Sequence, residues 1–95
     1  MATGLRLDKL LWHLRLTKSR SLAQSIIAAG SVRVDGVRQT VAHKAVSVGQ
    51  VMTLAINDRV RVIRVTTIPL RRGPPSEAQS CYCELTSSEV IDASP

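Results

Sequence analysis

The sequence predicts a small α+β domain: two short helices packed on a small, mostly antiparallel sheet, with a short C-terminal helix as a further element. Three observations carry this. Apolar residues recur at Leu7, Leu10, Leu11 and Leu14, the spacing of an amphipathic helix. Asp35-Gly36 sits between alternating segments, the strongest short-range hairpin signal, because both turn positions favour φ > 0. Two apolar, β-branched runs, Val51–Ile56 and Arg59–Ile68, then flank Asn57-Asp58 as strands flank a turn.

Taken in order, Met1–Gly4 is expected to be a loose start. The first helix is expected from Leu5 to the break at Thr17-Lys18-Ser19. Arg6, Lys9 and His13, three and four residues apart, would share a solvent face. Asp8, Trp12 and Arg15 form a third line, with Trp12 read as a core anchor. Thr17 or Ser19 can cap a second helix over Arg20–Ala28, whose buried face would be Leu22, Ala23, Ile26 and Ile27. Gly30 would terminate it. Ser31–Val34 and Val37–Thr40 form the hairpin, in which Arg33 and Arg38 share a face if the register allows.

Val41–Gln50 reads as a connection. In the strand from Arg59, apolar parity shifts between Val60/Val62 and Ile63/Val65; either a bulge near Val62-Ile63 or burial of both faces reconciles the two. Pro69 ends that strand. Arg71–Pro75 reads as a linker, Ser76 opens a short helix reaching Glu84 or Leu85, and Thr86–Pro95 is an acidic, frayed tail. The domain expected to carry function is 5–68, with 69–95 as linker, helix and tail.

With no Phe, one Trp and one Tyr, the core must be aliphatic. The net charge of +6 is unevenly spread: residues 1–72 hold all 13 Lys and Arg against Asp8, Asp35 and Asp58, while residues 73–95 hold only acids. Such an excess marks a surface for a polyanion. Ten of the cations are Arg, whose planar fork suits phosphate and stacks on bases. No apolar run resembles a secretory signal or a membrane span, so a cytoplasmic protein without a membrane partner is expected.

Catalysis is not expected. The five glycines are scattered, with no phosphate-cradling loop, and the acids lack carboxylate partners. Cys81-Tyr82-Cys83 is a lone pair, far in sequence from His13 and His43, so neither a metal site nor a cofactor is expected. The candidate contacts for nucleic acid are Arg6, Lys9, His13, Arg15, Thr17, Lys18, Ser19, Arg20, Arg33, Arg38 and Lys44, with the Thr17–Arg20 junction and the Arg33/Arg38 hairpin as two jaws.

Arg6-Leu7-Asp8-Lys9, Trp12, Lys18–Ala23, Gly30, Val32–Val34 and Asp35-Gly36 resemble the S4 RNA-binding domain family. Arg71–Ala78 and Tyr82 extend the resemblance to its heat shock protein 15 group. The departures are Leu10, where that group often has Trp, and an acidic C-terminal run where some members carry a long basic tail. The resemblance implies a helix pair on a small sheet that grips structured RNA. It also implies action on large ribosomal subunits, stalled or still holding a nascent chain on peptidyl-tRNA, in quality control under stress; the chain is expected to be a monomer. Two other readings remain open: a module docking an acidic protein, and an accessory domain acting in trans for an RNA-modifying enzyme.

Overall fold

The computed structural model describes residues 4–56 and 59–85. The expected N-terminal looseness (apart from Gly4), the Asn57-Asp58 turn and the acidic tail from Thr86 lie outside the described residues. The chain runs β1 (Leu5–Arg6), α1 (Leu7–His13), α2 (Arg20–Ala28), β2 (Val32–Val34), β3 (Val37–Gln39), β4 (Ala45–Val46), β5 (Val51–Ile56), β6 (Arg59–Val65), α3 (Pro75–Gln79) and β7 (Tyr82–Leu85). One antiparallel sheet has the order β3-β2-β5-β6-β7, and β1 pairs with β4 in a second, two-stranded piece.

One face of the larger sheet is covered by the helices. Leu7, Leu10, Leu11 and Leu14 from α1 and the residue after it meet Ala23 and Ile27 of α2 and Val32, Val34, Met52, Leu54, Ile63 and Val65 of the strands. The core is aliphatic, as expected. Leu22, assigned to the buried face of α2, is instead 39% exposed; Ala23 and Ile27 suffice to seat the helix.

The helix ends explain the chain's turns. Ser19 caps α2, its Oγ accepting from the Leu22 N–H at 3.0 Å. At the other end Gly30 N–H donates to Ile27 O and Ser31 N–H to Ile26 O, the paired bonds of a left-handed helix stop. Gly30 has φ +82°, and a Cβ there would lie 3.1 Å from Arg38 Cδ. Gly30→Ala is therefore expected to cost about 1–2 kcal/mol of backbone strain and to push Arg38 off its seat. Urea denaturation reads the first effect, and polyanion affinity reads the second.

Helix α1 stops in the same way, but on an arginine. Arg15 sits at φ +60°, with Arg15 N–H on Trp12 O and Leu16 N–H on Leu11 O. A non-glycine residue pays for this conformation, and Arg15 is compensated by a 2.6 Å bond from its Nε to the carbonyl of Gly73.

Four expectations are corrected. Leu5 and Arg6 are not helical: they pair with Ala45 and Val46, so the Val41–Gln50 connection contains a strand. Strand β6 is regular through its whole pairing with β5, without a bulge; Ile63 and Val65 face the core, Val62 is half-buried and Val60 is 68% exposed. It also ends at Val65, before the expected Ile68. The C-terminal helix stops at Gln79, after which Tyr82–Leu85 joins the sheet beside β6. Residues 70–85 are thus tied to the body of the fold.

Candidate nucleic-acid interface

The site is built on Asp8. Its side chain is fully buried in the first turn of α1, yet it stays charged because five N–H groups converge on it. Arg6 donates from Nε at 2.8 Å and from Nη2 at 2.9 Å, the Lys9 backbone N–H at 2.8 Å, Gln24 Nε2 at 2.9 Å and Arg20 Nε at 3.3 Å. Burial pushes the Asp8 carboxyl upward, but the bonds from Arg6, Gln24, the Lys9 backbone and Arg20 outweigh it and hold the group well below the usual carboxylate range. One carboxylate thereby joins β1, α1 and α2 and holds two guanidinium groups whose side chains remain 42% and 39% exposed.

Around this hub, Lys9 is half-buried and Lys18 exposed, and neither joins an ion pair among the described residues. Lys44 is exposed on the loop whose carbonyl accepts the Leu7 N–H. The structure brings Arg6, Lys9 and Arg20 together. It engages others of the expected set within the fold. His13 is 5% exposed, its Nδ1 has no hydrogen-bond partner, and burial lowers its pKa against a smaller upward pull from the Pro69 backbone. It is a core-side residue at the end of α1, and Arg6, which lies in β1, shares no helical face with it. Thr17 is 3% exposed and its hydroxyl donates to Ser19 O at 2.9 Å, so it shapes the junction from inside. The Ser19 hydroxyl is used as the cap. Arg15 is tied to Gly73.

Trp12 is not a core anchor. It is half-buried outside the central cluster, and Arg72 lies over its ring at 5.5 Å from the centroid. Arg72 Nε also donates to Trp12 O at 3.1 Å, a cation placed on the carbonyl end of α1. Arg72 and Asp8 are the residues that sequence reasoning missed. An acid in a helix's first turn between two cations was a signal for Asp8; Gln24, sixteen residues on, was not readable.

The hairpin meets its expectation. Asp35 (φ +52°) and Gly36 (φ +82°) make the turn, and Arg33 and Arg38 are direct cross-strand partners on one face. That face is the one opposite Val32 and Val34, and therefore opposite the helices. Asp35 does not neutralise the pair: its carboxylate accepts from the Val51 N–H and from Gln50 Nε2, both at 3.0 Å, which holds its pKa down. Elsewhere acids do pair: Arg61 with Glu84 at 2.8 Å and Arg71 with Glu77 at 3.2 Å. Apart from Asp8, the helix pair and hairpin therefore keep their positive charge, while two of the later cations are quenched.

Comparison with known proteins agrees with this layout. A family model described as the S4 domain matches residues 5–52, a span that holds both helices, the hairpin and the Asp8 hub. The chain belongs to the S4 domain family. Its relatives include heat shock protein 15 of Escherichia coli (strain K12), 37% identical over 87 residues that make up 92% of this chain and 65% of that protein, and the heat shock protein 15 homolog of Haemophilus influenzae, 39% identical over 84 residues, or 87% and 63% of the two chains. The chain thus spans somewhat less than two thirds of the length of these relatives. A solved structure of Vibrio cholerae heat shock protein 15, described as trimeric, superposes with a TM-score of 0.82 at 34% identity, covering 94% of this chain and 88% of that one. This S4 domain is thus of the heat shock protein 15 kind throughout the described sheet, well past the 5–52 match. Among the described residues, no helix is long and apolar enough to cross a membrane, and no three His, Cys, Asp or Glu cluster as metal ligands.

Proposed function

We propose that this S4 domain binds ribosomal RNA of the large subunit and acts, as a single chain, on subunits stalled with a nascent chain on tRNA. The observation that carries the RNA reading is the Asp8 hub, which fixes Arg6 and Arg20 at the surface beside Lys9 and Lys18, neither of which pairs with an acid among the described residues. Arginines whose stems are already immobilised lose little entropy on meeting phosphate, and their planar fork suits it. The ribosomal target is supported by the relationship to heat shock protein 15.

The test is the affinity of the chain for a large-subunit RNA fragment across a salt series. If about five phosphates are neutralised, log affinity should fall against log salt with a slope of about −3.5 to −4.5. Sedimentation through a sucrose gradient should place the protein with large subunits, and nuclease treatment should release it. A flat salt response overturns electrostatic capture of RNA, and a partner set that survives complete RNA digestion overturns the reading in favour of an acidic protein partner.

A further inference from the structure

We propose that the outer face of the five-stranded sheet is a second RNA-backbone site, separate from the helical surface, so that one domain bridges two RNA segments. This rests on the RNA-binding reading above and extends it. Strand parity makes the separation. Val32 and Val34 are buried beneath the helices, so Arg33 and its direct partner Arg38 stand on the far side of the sheet. Thr53 is paired with Arg33 in the same row, and Arg64, opposite Val51, falls on the same face by the same alternation.

Like charges directly across two strands have Cβ atoms about 4.5–5.5 Å apart and repel. Arg33, Arg38 and Arg64 join no ion pair among the described residues. An anion lying between Arg33 and Arg38 relieves that repulsion, and neither Asp35 nor any other described acid does so. Space for it exists: a groove of about 660 Å³ is lined by Ser31, Arg33, Arg38, Thr53, Ala55 and Val60. Its floor of small side chains lets a sugar-phosphate chain come close to the strands, and Val60, 68% exposed, offers an apolar wall to ribose or base. The Arg38 side chain, from Cδ to Cζ, lies against Gly30, which also lines the groove.

Arg20 opens α2, whereas Gly30, just past the far end of that helix, lines the groove. The nine residues of α2, rising about 1.5 Å each, set the two about 12 Å apart along the helix, more than the screening length of about 8 Å at physiological salt. The two surfaces therefore attract polyanions independently.

The experiment uses the full chain with two copies of one large-subunit RNA fragment, one biotinylated and one fluorescent. Wild type should carry fluorescent RNA onto streptavidin beads, with one protein per two RNAs by mass. R33Q/R38Q should reduce that capture at least tenfold while still shifting a single fragment in a gel, and K18E/R20Q should reduce it at least tenfold together with the single-fragment affinity. Thermal stability of R33Q/R38Q should be equal or higher, since the substitution removes the repulsion without touching the core. Three outcomes overturn the proposal: a wild-type chain that binds one fragment and captures no second, capture by several protein copies, or full capture by R33Q/R38Q. A wild-type chain that binds neither fragment overturns the RNA reading itself, and this proposal with it.

Discussion

Asp8→Asn is expected to destabilise the fold by about 3 kcal/mol, the low end of the range for breaking a buried pair, because Arg6 and Arg20 keep some solvent. A domain of this size has roughly 5–14 kcal/mol in all, so the loss is a large share. The chemistry is specific. One Asp8 oxygen accepts from Arg6 Nε and the Lys9 N–H; the other accepts from Arg6 Nη2, Arg20 Nε and Gln24 Nε2. An amide replaces one oxygen by an NH₂ group, which would point donors at donors. The acid dependence follows with a definite sign. The folded pKa is depressed, so the stabilisation is complete above the unfolded value near 3.9 and is lost as pH falls below it. Between pH 5 and pH 2 the wild-type stability should fall faster than that of the variant. Urea midpoints measured over that range check both claims; parallel pH profiles would show that Asp8 is not held as a charged hub. RNA affinity should fall as well, because Arg6 and Arg20 lose their common anchor.

What could be read in advance separates along physical lines. Local signals were sound: Ser19 as cap, Gly30 as stop, Asp35-Gly36 as turn, and the shared face of Arg33 and Arg38 that the turn's register imposes. The failures are places where a distant segment decides. Arg15 ends α1 without a glycine because the Gly73 carbonyl, 58 residues on, holds its side chain. Tyr82–Leu85 carries no strong period of its own and becomes a strand because β6 offers an open edge. His13 appeared to lie beside Arg6 and Lys9 on a helical wheel, but Arg6 belongs to β1. In the site, the cations were visible as a charge excess, while the carboxylate that aims two of them was visible only as an isolated acid. Composition reports how much charge there is; tertiary hydrogen bonds decide where it points.

That distinction also determines how the helical surface should be tested. Lys18→Glu with Arg20→Gln is expected to lower RNA affinity by at least about 100-fold at physiological salt and to make the salt slope shallower by about 2. Lys18 is exposed, has no acid partner among the described residues, and stands at the junction between the helices. Reversing it therefore removes a phosphate contact and adds repulsion without disturbing packing. Arg20 calls for a different substitution. A glutamate there would bring a second carboxylate to the Asp8 oxygen that now receives Arg20 Nε at 3.3 Å, and a loss of binding would then be indistinguishable from a loss of fold. Glutamine removes the charge and leaves Asp8 its bonds from Arg6, Gln24 and the Lys9 backbone. The circular dichroism spectrum should be unchanged. The affinity difference from wild type should shrink as salt rises toward 1 M, where the screening length falls to about 3 Å. Affinity within about threefold of wild type, in a normally folded variant, would remove the Thr17–Arg20 junction from the interface. The hub would then be a structural knot that happens to be made of charged residues.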